Sequence, residues 1–369
     1  MQVAASRKLD TALLRKYANE NLLRFPADAV KYGLIDALKY DDEIRDEIAQ
    51  KIGVSRVDKI NFISLGKYAE AVSYKQRGGE KIAVIYAAGD IIDGKGERGQ
   101  IGSESYRTLI RNARLDNSIK AIVLRINSGG GSSLASENIW RELVLARKAK
   151  PLIVSFGDVA ASGGYYIACP ADSIFAQPNT ITGSIGVFSI LPNMQNFFND
   201  KLGVTFDVVK TGPDADALSV TQPLTEMQKQ YLQNDVDSIY HTFKTRVAEG
   251  RKMNIEFDDS IGQGRVWSGS RALKLGLVDR IGTLQDAISA AGRMAKLKEF
   301  SLREYPEPQN VFDMIFGNYK ESTRAAAIKE ELGEQGAKTY STLKRVQQVM
   351  GVTQARMPFD FVISDGGFK

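Results

Sequence analysis

The sequence predicts an α/β protein with a largely parallel sheet, plus helical extensions. Three observations carry this expectation. From residue 81 onward, short apolar runs rich in Val and Ile alternate with amphipathic helical patterns. That alternation makes βα units with parallel pairing and right-handed crossovers. Glycine and serine clusters stand where those strands end, and sites in open α/β sheets gather at the carboxyl ends of strands. The composition, 43% hydrophobic and 25% charged over 369 residues, is globular and sufficient for about two domains.

The elements follow in order. KIAVIYAAGDI (81–91) is a buried strand and SESYRTLIRNARLD (103–116) an amphipathic helix. AIVLRIN (121–127) is the next strand, and SGGGSS (128–133) leads from it into the helix LASENIWRELVLARKA (134–149). Lys148 and Lys150 close that polar helix and are expected in solvent. PLIVSFG (151–157) is a third strand, and Ser162 opens a short apolar helix that Pro170 ends. SIFAQ (173–177), TGSIGVFSI (182–190) and FDVVK (206–210) are further strands, and a long helix covers about 225–252. Residues 320–349 carry a polar helical pattern. The closing stretch ARMPFDFVISDGGFK alternates Met357, Phe359, Phe361 and Ile363, as an edge strand or a groove-bound segment would.

Several classes are excluded. The net charge of +5 is spread in mixed sign, without a basic stripe interleaved with aromatics, so nucleic acid is not an expected partner. Cys169 is the one cysteine; it can form no intramolecular disulfide, and it lies in an apolar run as a buried, inert thiol would. No cofactor and no metal site is expected. No stretch reaches about 18 consecutive apolar residues, so no membrane-spanning helix is expected, and MQVAASRKLDT lacks a hydrophobic signal core. On these grounds the chain by itself is expected to be soluble. His241 is the one histidine and sits in VDSIYHTFKTRVAEG, a segment of helical period with Ile239, Tyr240, Phe243 and Val247 as its apolar positions, where a lone histidine reads as structural. A serine hydrolase built from this chain would therefore use lysine as its base.

Two segments repeat. AVKYGLID (29–36) and ALKLGLVD (272–279) each follow an aromatic residue, Phe25 and Trp267, and their glycines lie 243 residues apart. The same structural unit then ends twice. The second ending closes a complete unit that starts near Lys81, whereas the first has too few residues before it. The expected organisation is the helical tail of a first repeat (1–60), a linker (61–80), a complete domain carrying the serine (81–300), and a C-terminal helical extension with an extended tail (301–369). Roughly 200 residues would stand upstream on this reading.

DVAASGGYYIACPA places Ser162 among small residues at the mouth of a helix, where peptide dipoles favour developing negative charge. Ser162 is the candidate nucleophile. Gly163 offers an adjacent N–H, and the loop Ser128-Gly129-Gly130-Gly131 can bring a second, because glycine lets backbone approach a substrate. Two such donors matter by about 10²–10³ in rate. SGGGSS has neither the spacing nor the lysine of a phosphate-binding loop. Lys210 is the best base within the chain, provided burial lowers its pKa. Ser64-Leu65-Gly66-Lys67, Ser136-Glu137-Asn138 and Lys210-Thr211-Gly212 run in the order of the penicillin-recognising serine enzymes, but the helix that should follow Ser64 breaks within about ten residues.

Taken together, AIVLRINSGGGSS, AASGGYYIA and NTITGSIGVFSI resemble signal peptide peptidase A, and more closely the second half of its long tandem form. GRVWSGSRALKLGLVDRIGTLQDAI resembles that family's closing segment, and the likeness covers about residues 25–317. It implies a serine–lysine peptidase with a crotonase-like, Clp-type fold of repeated ββα units. Such an enzyme degrades hydrophobic remnant signal peptides at the bacterial inner membrane, on the periplasmic side. By resemblance Ser162 is the nucleophile, Gly130 and Gly163, with Gly131 beside them, are the oxyanion donors, and Thr182, Gly183 and Ser184 line the site together with Ser128. The family has proline where Gly129 stands. Its short members carry the lysine after the strand equivalent to FDVVK, where this chain reads KTGPDADALSVTQ. In the long form the lysine comes from the first half, which thus becomes an expected partner. Homo-oligomers, tetrameric for the long form, are also implied. The rival readings are a non-catalytic peptide-binding or assembly scaffold of the same fold and a crotonase-type acyl-CoA enzyme.

Overall fold

The computed structural model describes residues 2–20, 22, 23, 25–54, 60–63, 79–97, 99–210, 216, 219–306, 333, 336, 340 and 352–357. Contacts divide the chain into two compact units, Met1–Tyr74 and Lys75–Lys369.

The first unit contains α1 (Gln2–Arg7), α2 (Thr11–Asn19), α3 (Pro26–Lys31) and α4 (Asp41–Ile52). Asp10 caps α2 by accepting a hydrogen bond from the Ala12 amide, as a short carboxylate at an N-cap does. Asp41, Asp42 and Glu43 crowd the first turn of α4, where negative charge meets the exposed amides.

The second unit is a three-layer α/β arrangement. Its elements are β1 (Lys81–Ala88), β2 (Asp90–Ile92), β3 (Gln100–Gly102), α5 (Ser103–Leu115), β4 (Ile119–Ser128), β5 (Gly130–Ser132), α6 (Ser133–Ala149), β6 (Leu152–Ala161), α7 (Gly163–Ala168), β7 (Ser173–Ala176), β8 (Ile181–Gly183), α8 (Glu226–Arg251), α9 (Ile255–Ile261), β9 (Val266–Ser268), α10 (Gly269–Lys274), β10 (Arg280–Ile281), α11 (Leu284–Met294), β11 (Ser301–Tyr305) and β12 (Gln354–Arg356). The main sheet runs β10-β7-β6-β4-β1-β11, every pair parallel, with β8 joined to the far end of β6. A small second sheet, β12-β5-β2-β3, stands at the carboxyl end of the first. The ββα pattern is visible in β4-β5-α6, where a long strand turns into a short one before its helix.

The central strands are buried on both faces, which is why β1, β4 and β6 read as nearly continuous apolar runs. On one face Ile85, Ile122, Leu124 and Val154 pack with α5, α6 and α7 residues such as Ile110, Leu143 and Tyr165. On the other Ile82, Val84, Val123 and Ile153 pack with Ala287, Ile288 and Ala291 of α11. Ser301–Tyr305, placed by sequence in the C-terminal extension, is an edge strand in register with Lys81–Ile85. FDVVK is no strand: residues 206–210 are irregular, and Val209 is 98% exposed without a neighbouring strand to pair. Apart from 333, 336 and 340, the pattern over 320–349 lies outside the described residues, as do Phe359, Phe361 and Ile363.

The repeat extends well beyond the octapeptide. Gly33 and Gly276 both take left-handed φ, 72° and 76°. Around them Leu34 N–H donates to Ala29 and Leu277 N–H to Ala272, at 2.8 and 2.9 Å. Upstream, Leu9 N–H reaches Ala4 and Met253 N–H reaches Ala248, both at 2.9 Å. Asp10 and Asn254 cap the following helices in the same way. The ion pairs Arg7–Asp36 and Arg251–Asp279 occupy matching places at 2.8 and 2.6 Å. Downstream, Val54 N–H to Ala49 matches Leu297 N–H to Gly292. The signal that sequence reading passed over is VAASRKLD against VAEGRKMN, eight residues with four identities. Burial differs between the copies: Val247, Val278 and Ala287 are 0–2% exposed in the second, whereas Val3, Ile35 and Ile44 are 54, 36 and 46% exposed in the first.

One buried carboxylate stands out. Asp258 on α9 is fully buried, and neither of its carboxylate oxygens has a hydrogen-bond partner among the described residues. Burial pushes its pKa up to about 7, against the pull of Lys244 and with a small push from Asp259. A carboxyl whose folded pKa exceeds its unfolded one binds more protons when folded. Its effect therefore favours the folded state at acid pH and turns against it as pH rises from about 4 to 7. Asp258→Asn is expected to stabilise the protein at pH 8 by about 1–3 kcal/mol and to flatten this part of the pH dependence. Thermal melts of both forms at pH 5 and pH 8 check this.

Candidate active site

A register shift in the main sheet builds the site. Between Ile126 and Ser128 the β4–β6 ladder slips, so that Ser128 pairs with Ala160. Asn127 fills the irregularity by accepting from the Val159 amide through Oδ1 at 3.1 Å. The slip carries the glycine loop after β4 to the level of the turn after β6, where Ser162 stands.

Ser162 has φ 52° and ψ −117°, the region of the first central residue of a type II′ turn, which glycine dominates. A serine there is strained by about 1–3 kcal/mol unless its surroundings over-determine it. They do: its N–H donates to the Gly183 carbonyl at 2.8 Å, continuing the β6–β8 ladder, and its own carbonyl accepts from Tyr166 N–H at 2.8 Å, opening α7. The serine is completely buried, and its Oγ donates to the Gly186 carbonyl at 3.2 Å. Gly186 was not singled out from sequence, since a carbonyl contact leaves no side-chain signal. The expected helix dipole is weak, because α7 has only six residues. Individual amides matter more here than the dipole.

Gly130 and Gly163 touch. A Cβ on Gly130, which has φ 103°, would stand 2.7 Å from the Gly163 nitrogen, and one on Gly163 would stand 2.7 Å from Ser136 Oγ. Only glycine fits either place. The Gly130 N–H donates to Ser128 Oγ at 3.1 Å, and that hydroxyl donates to the Gly89 carbonyl at 2.6 Å. In this arrangement the Gly130 amide is engaged by Ser128. Thr182 Oγ1 donates to the Ala160 carbonyl at 2.6 Å and so braces the strand that ends at Ser162. Ser184, with φ 48°, donates its N–H to Arg265 on the neighbouring segment.

The groove beside these glycines holds a strand. β12 pairs antiparallel with β5 in the register Gln354–Ser132, Ala355–Gly131 and Arg356–Gly130. On its other edge Gln354 exchanges both backbone hydrogen bonds with Phe188, at 2.8 and 2.9 Å. The described part of the closing stretch is both the edge strand of the small sheet and the occupant of this groove. The Ala355 carbonyl oxygen would lie 2.2 Å from a Cβ on Gly130 and 2.9 Å from one on Gly163. It thus occupies the concavity that the two glycines leave open.

Among the described residues no lysine is hydrogen-bonded to Ser162. Lys210 makes an ion pair of 2.6 Å with Asp216, and it stands on irregular backbone rather than at a strand end. Lys150, expected in solvent, instead donates to the carbonyls of Ala113 and Asp116 at the end of α5, and burial lowers its pKa. It terminates a 17-residue helix whose first residue follows the glycine loop, so it lies about 25 Å from that loop. His241 is exposed on α8. Cys169 is fully buried, and burial pushes its thiol pKa up. Glu137, of Ser136-Glu137-Asn138, accepts from Tyr166 OH and from Arg246 behind α7. Ser64 to Lys67 lie outside the described residues, as do Thr211 and Gly212.

A serine strained into a II′ conformation, glycine amides beside it and a strand-binding groove have the geometry that acyl transfer requires. The profile of Peptidase family S49 matches residues 145–298. Protease 4 of Salmonella typhi is 39% identical over 331 residues, 88% of this chain and 53% of that protein. Serine protease SPPA, chloroplastic, of Arabidopsis thaliana is 34% identical over 75% of this chain and 42% of its own length. An Enterococcus faecium protein assigned as signal peptide peptidase SppA is 32% identical over 70% of this chain and 76% of its own. The chain belongs to peptidase family S49. It spans about half the length of its Salmonella typhi relative.

The strain at residue 162 is measurable. Ser162→Ala keeps a Cβ in the II′ region, whereas Ser162→Gly removes it. The glycine variant is expected to exceed the alanine variant in stability by about 1 kcal/mol, the reverse of the usual order. Denaturant titration of the two variants checks this.

Proposed function

We propose that the chain carries the nucleophilic half of a serine–lysine peptidase. The carrying observation is the strained, buried Ser162 beside the Gly130–Gly163 contact, with a strand already lying across it. Ser162 Oγ attacks the carbonyl carbon of a peptide bond as its proton passes to a lysine amine. The oxyanion is held by backbone amides, and its collapse breaks the C–N bond as the lysine passes the proton to the leaving nitrogen, releasing the amine half and forming the acyl-enzyme. The neutral lysine then takes a proton from water, whose oxygen attacks the ester, and returns it to Ser162 Oγ as the acid half leaves.

The base is a lysine from outside this chain, supplied by the first half of a longer tandem protein. Two observations support this. Lys210, the in-chain candidate, is tied to Asp216. The first unit reproduces the closing helices of the second, with apolar positions exposed that the second copy buries. A preceding sheet would cover them. Substrates are apolar peptides, including the remnants of signal sequences, met at the bacterial inner membrane on its periplasmic face. The complete protein assembles as a homo-oligomer. Among the described residues no helix is long and apolar enough to cross a membrane.

A fluorophosphonate probe tests this. The isolated chain is expected to label slowly or not at all. Addition of the first half should raise labelling by a factor of about 10² or more, all of it lost in Ser162→Ala. Rapid labelling of the isolated chain would refute an external base. Labelling that survives Ser162→Ala would refute the nucleophile. Peptide binding without any labelling in either state would favour the scaffold reading.

A further inference from the structure

The strand in the groove also shows how a peptide is read there. Met357 N–H donates to the Gly129 carbonyl at 3.1 Å, and Ser133 N–H donates to the Thr353 carbonyl at 3.2 Å. These bonds flank the Ala355–Gly131 pair by two residues on each side. The alternation of an antiparallel ladder then makes that pair hydrogen-bonded too. The segment is thus held from both edges by backbone, the mode by which sheets take up extended peptides whatever their sequence. Side chains must supply the discrimination.

Two positions discriminate. Ala355 is completely buried, so the residue whose carbonyl faces Gly130 and Gly163 has to be small. The next side chain leaves on the opposite face. There the Arg356 guanidinium meets Asp90 Oδ1 at 3.0 Å, with the arginine side chain only 14% exposed. Asp90 opens β2, and the following residue, Ile91, pairs with Gly131 on the groove floor. The carboxylate is therefore fixed to the same small sheet that binds the peptide backbone.

We propose that peptides bind this groove in the register of Val352–Met357 and that Asp90 is a specificity residue, selecting a cationic side chain immediately after the small residue facing Gly130 and Gly163. This rests on the peptidase reading for its biological sense, but it concerns binding and is tested without chemistry. The segment 352–357 is then the groove's internal occupant, and an incoming peptide has to displace it.

The test uses the full chain carrying Ser162→Ala and Ala355→Trp, since a large side chain at the buried position expels the internal strand. Fluorescence anisotropy follows the labelled hexapeptide Val-Thr-Gln-Ala-Arg-Met and its Arg-to-Glu counterpart. The arginine peptide is expected to bind about tenfold or more tightly than the glutamate one. Asp90→Asn should erase the preference and Asp90→Arg should reverse it. Equal binding of the two peptides, insensitivity to Asp90, or no binding by a variant that melts like the parent would overturn the proposal. In the otherwise native chain, Arg356→Glu should speed hydrogen exchange at the Gly131 and Phe188 amides several-fold, and adding Asp90→Arg should restore protection. Unchanged exchange would also overturn it. Failure of Ser162 labelling in the otherwise native chain even after addition of the first half, with peptide selectivity intact, would sink the peptidase reading alone.

Discussion

The backbone of Ser162 is the constraint on which the site depends. A residue at φ 52° and ψ −117° persists only when both of its flanks are pinned. On one side the β6–β8 ladder ends in the bond from Ser162 N–H to Gly183. On the other, α7 is anchored by two tyrosines. Tyr165 OH donates to Leu277 in the closing segment, and Tyr166 OH donates to Glu137, which Arg246 of α8 also holds. Burial raises the pKa of both phenols, so they remain neutral donors. Arg246 also stacks on Trp140, 4.1 Å from the ring centroid. The conformation of one residue is thus set by contacts from β8, α6, α8 and the turn after α10.

The glycine loop is coupled to the same constraint by register. The slip at Asn127 sets Ser128 opposite Ala160, and from there the loop lies against Gly163 without any side chain between. Ser128 contributes by orienting backbone, since it bridges the Gly130 amide and the Gly89 carbonyl. What remains open is a concavity with one edge of amides and a second edge at Phe188. Its width suits one extended chain, and residues 354–357 supply one.

The two copies of the closing helices show how far local chemistry reaches. Caps, left-handed glycines and the arginine–aspartate pair recur bond for bond, because each is satisfied within a few tens of residues. Burial does not recur. The positions buried in the second copy depend on a sheet assembled from other parts of the chain, and the same hydrophobic positions stand exposed in the first. Short-range hydrogen bonding therefore preserves the shape of the module, and the hydrophobic effect determines where such a module docks.

Much of this was legible in the residues. Buried β-branched runs marked β1, β4 and β6, since strands covered on both faces cannot alternate with polar residues. Small residues around Ser162 and in the loop 128–131 marked the close approach of backbone, and one octapeptide marked the repeat. FDVVK had the right composition for a strand but no neighbour to pair with, and strand formation is decided by the partner. Lys150 was misplaced because the carbonyls that capture it belong to a helix 34 residues earlier. The Ser128 bridge, the Gly186 contact and the seating of Ala355 over Gly130 join backbone atoms from distant segments, which no side-chain pattern encodes. By itself the sequence determined the buried strands β1, β4 and β6 and singled out Ser162 as the candidate nucleophile, because propensity and the need for small residues at a close approach are local. Only the tertiary structure decided which amides are engaged, where Lys150 and Lys210 go and what lies in the groove, because those depend on backbone groups brought together by a register shift and a sheet edge.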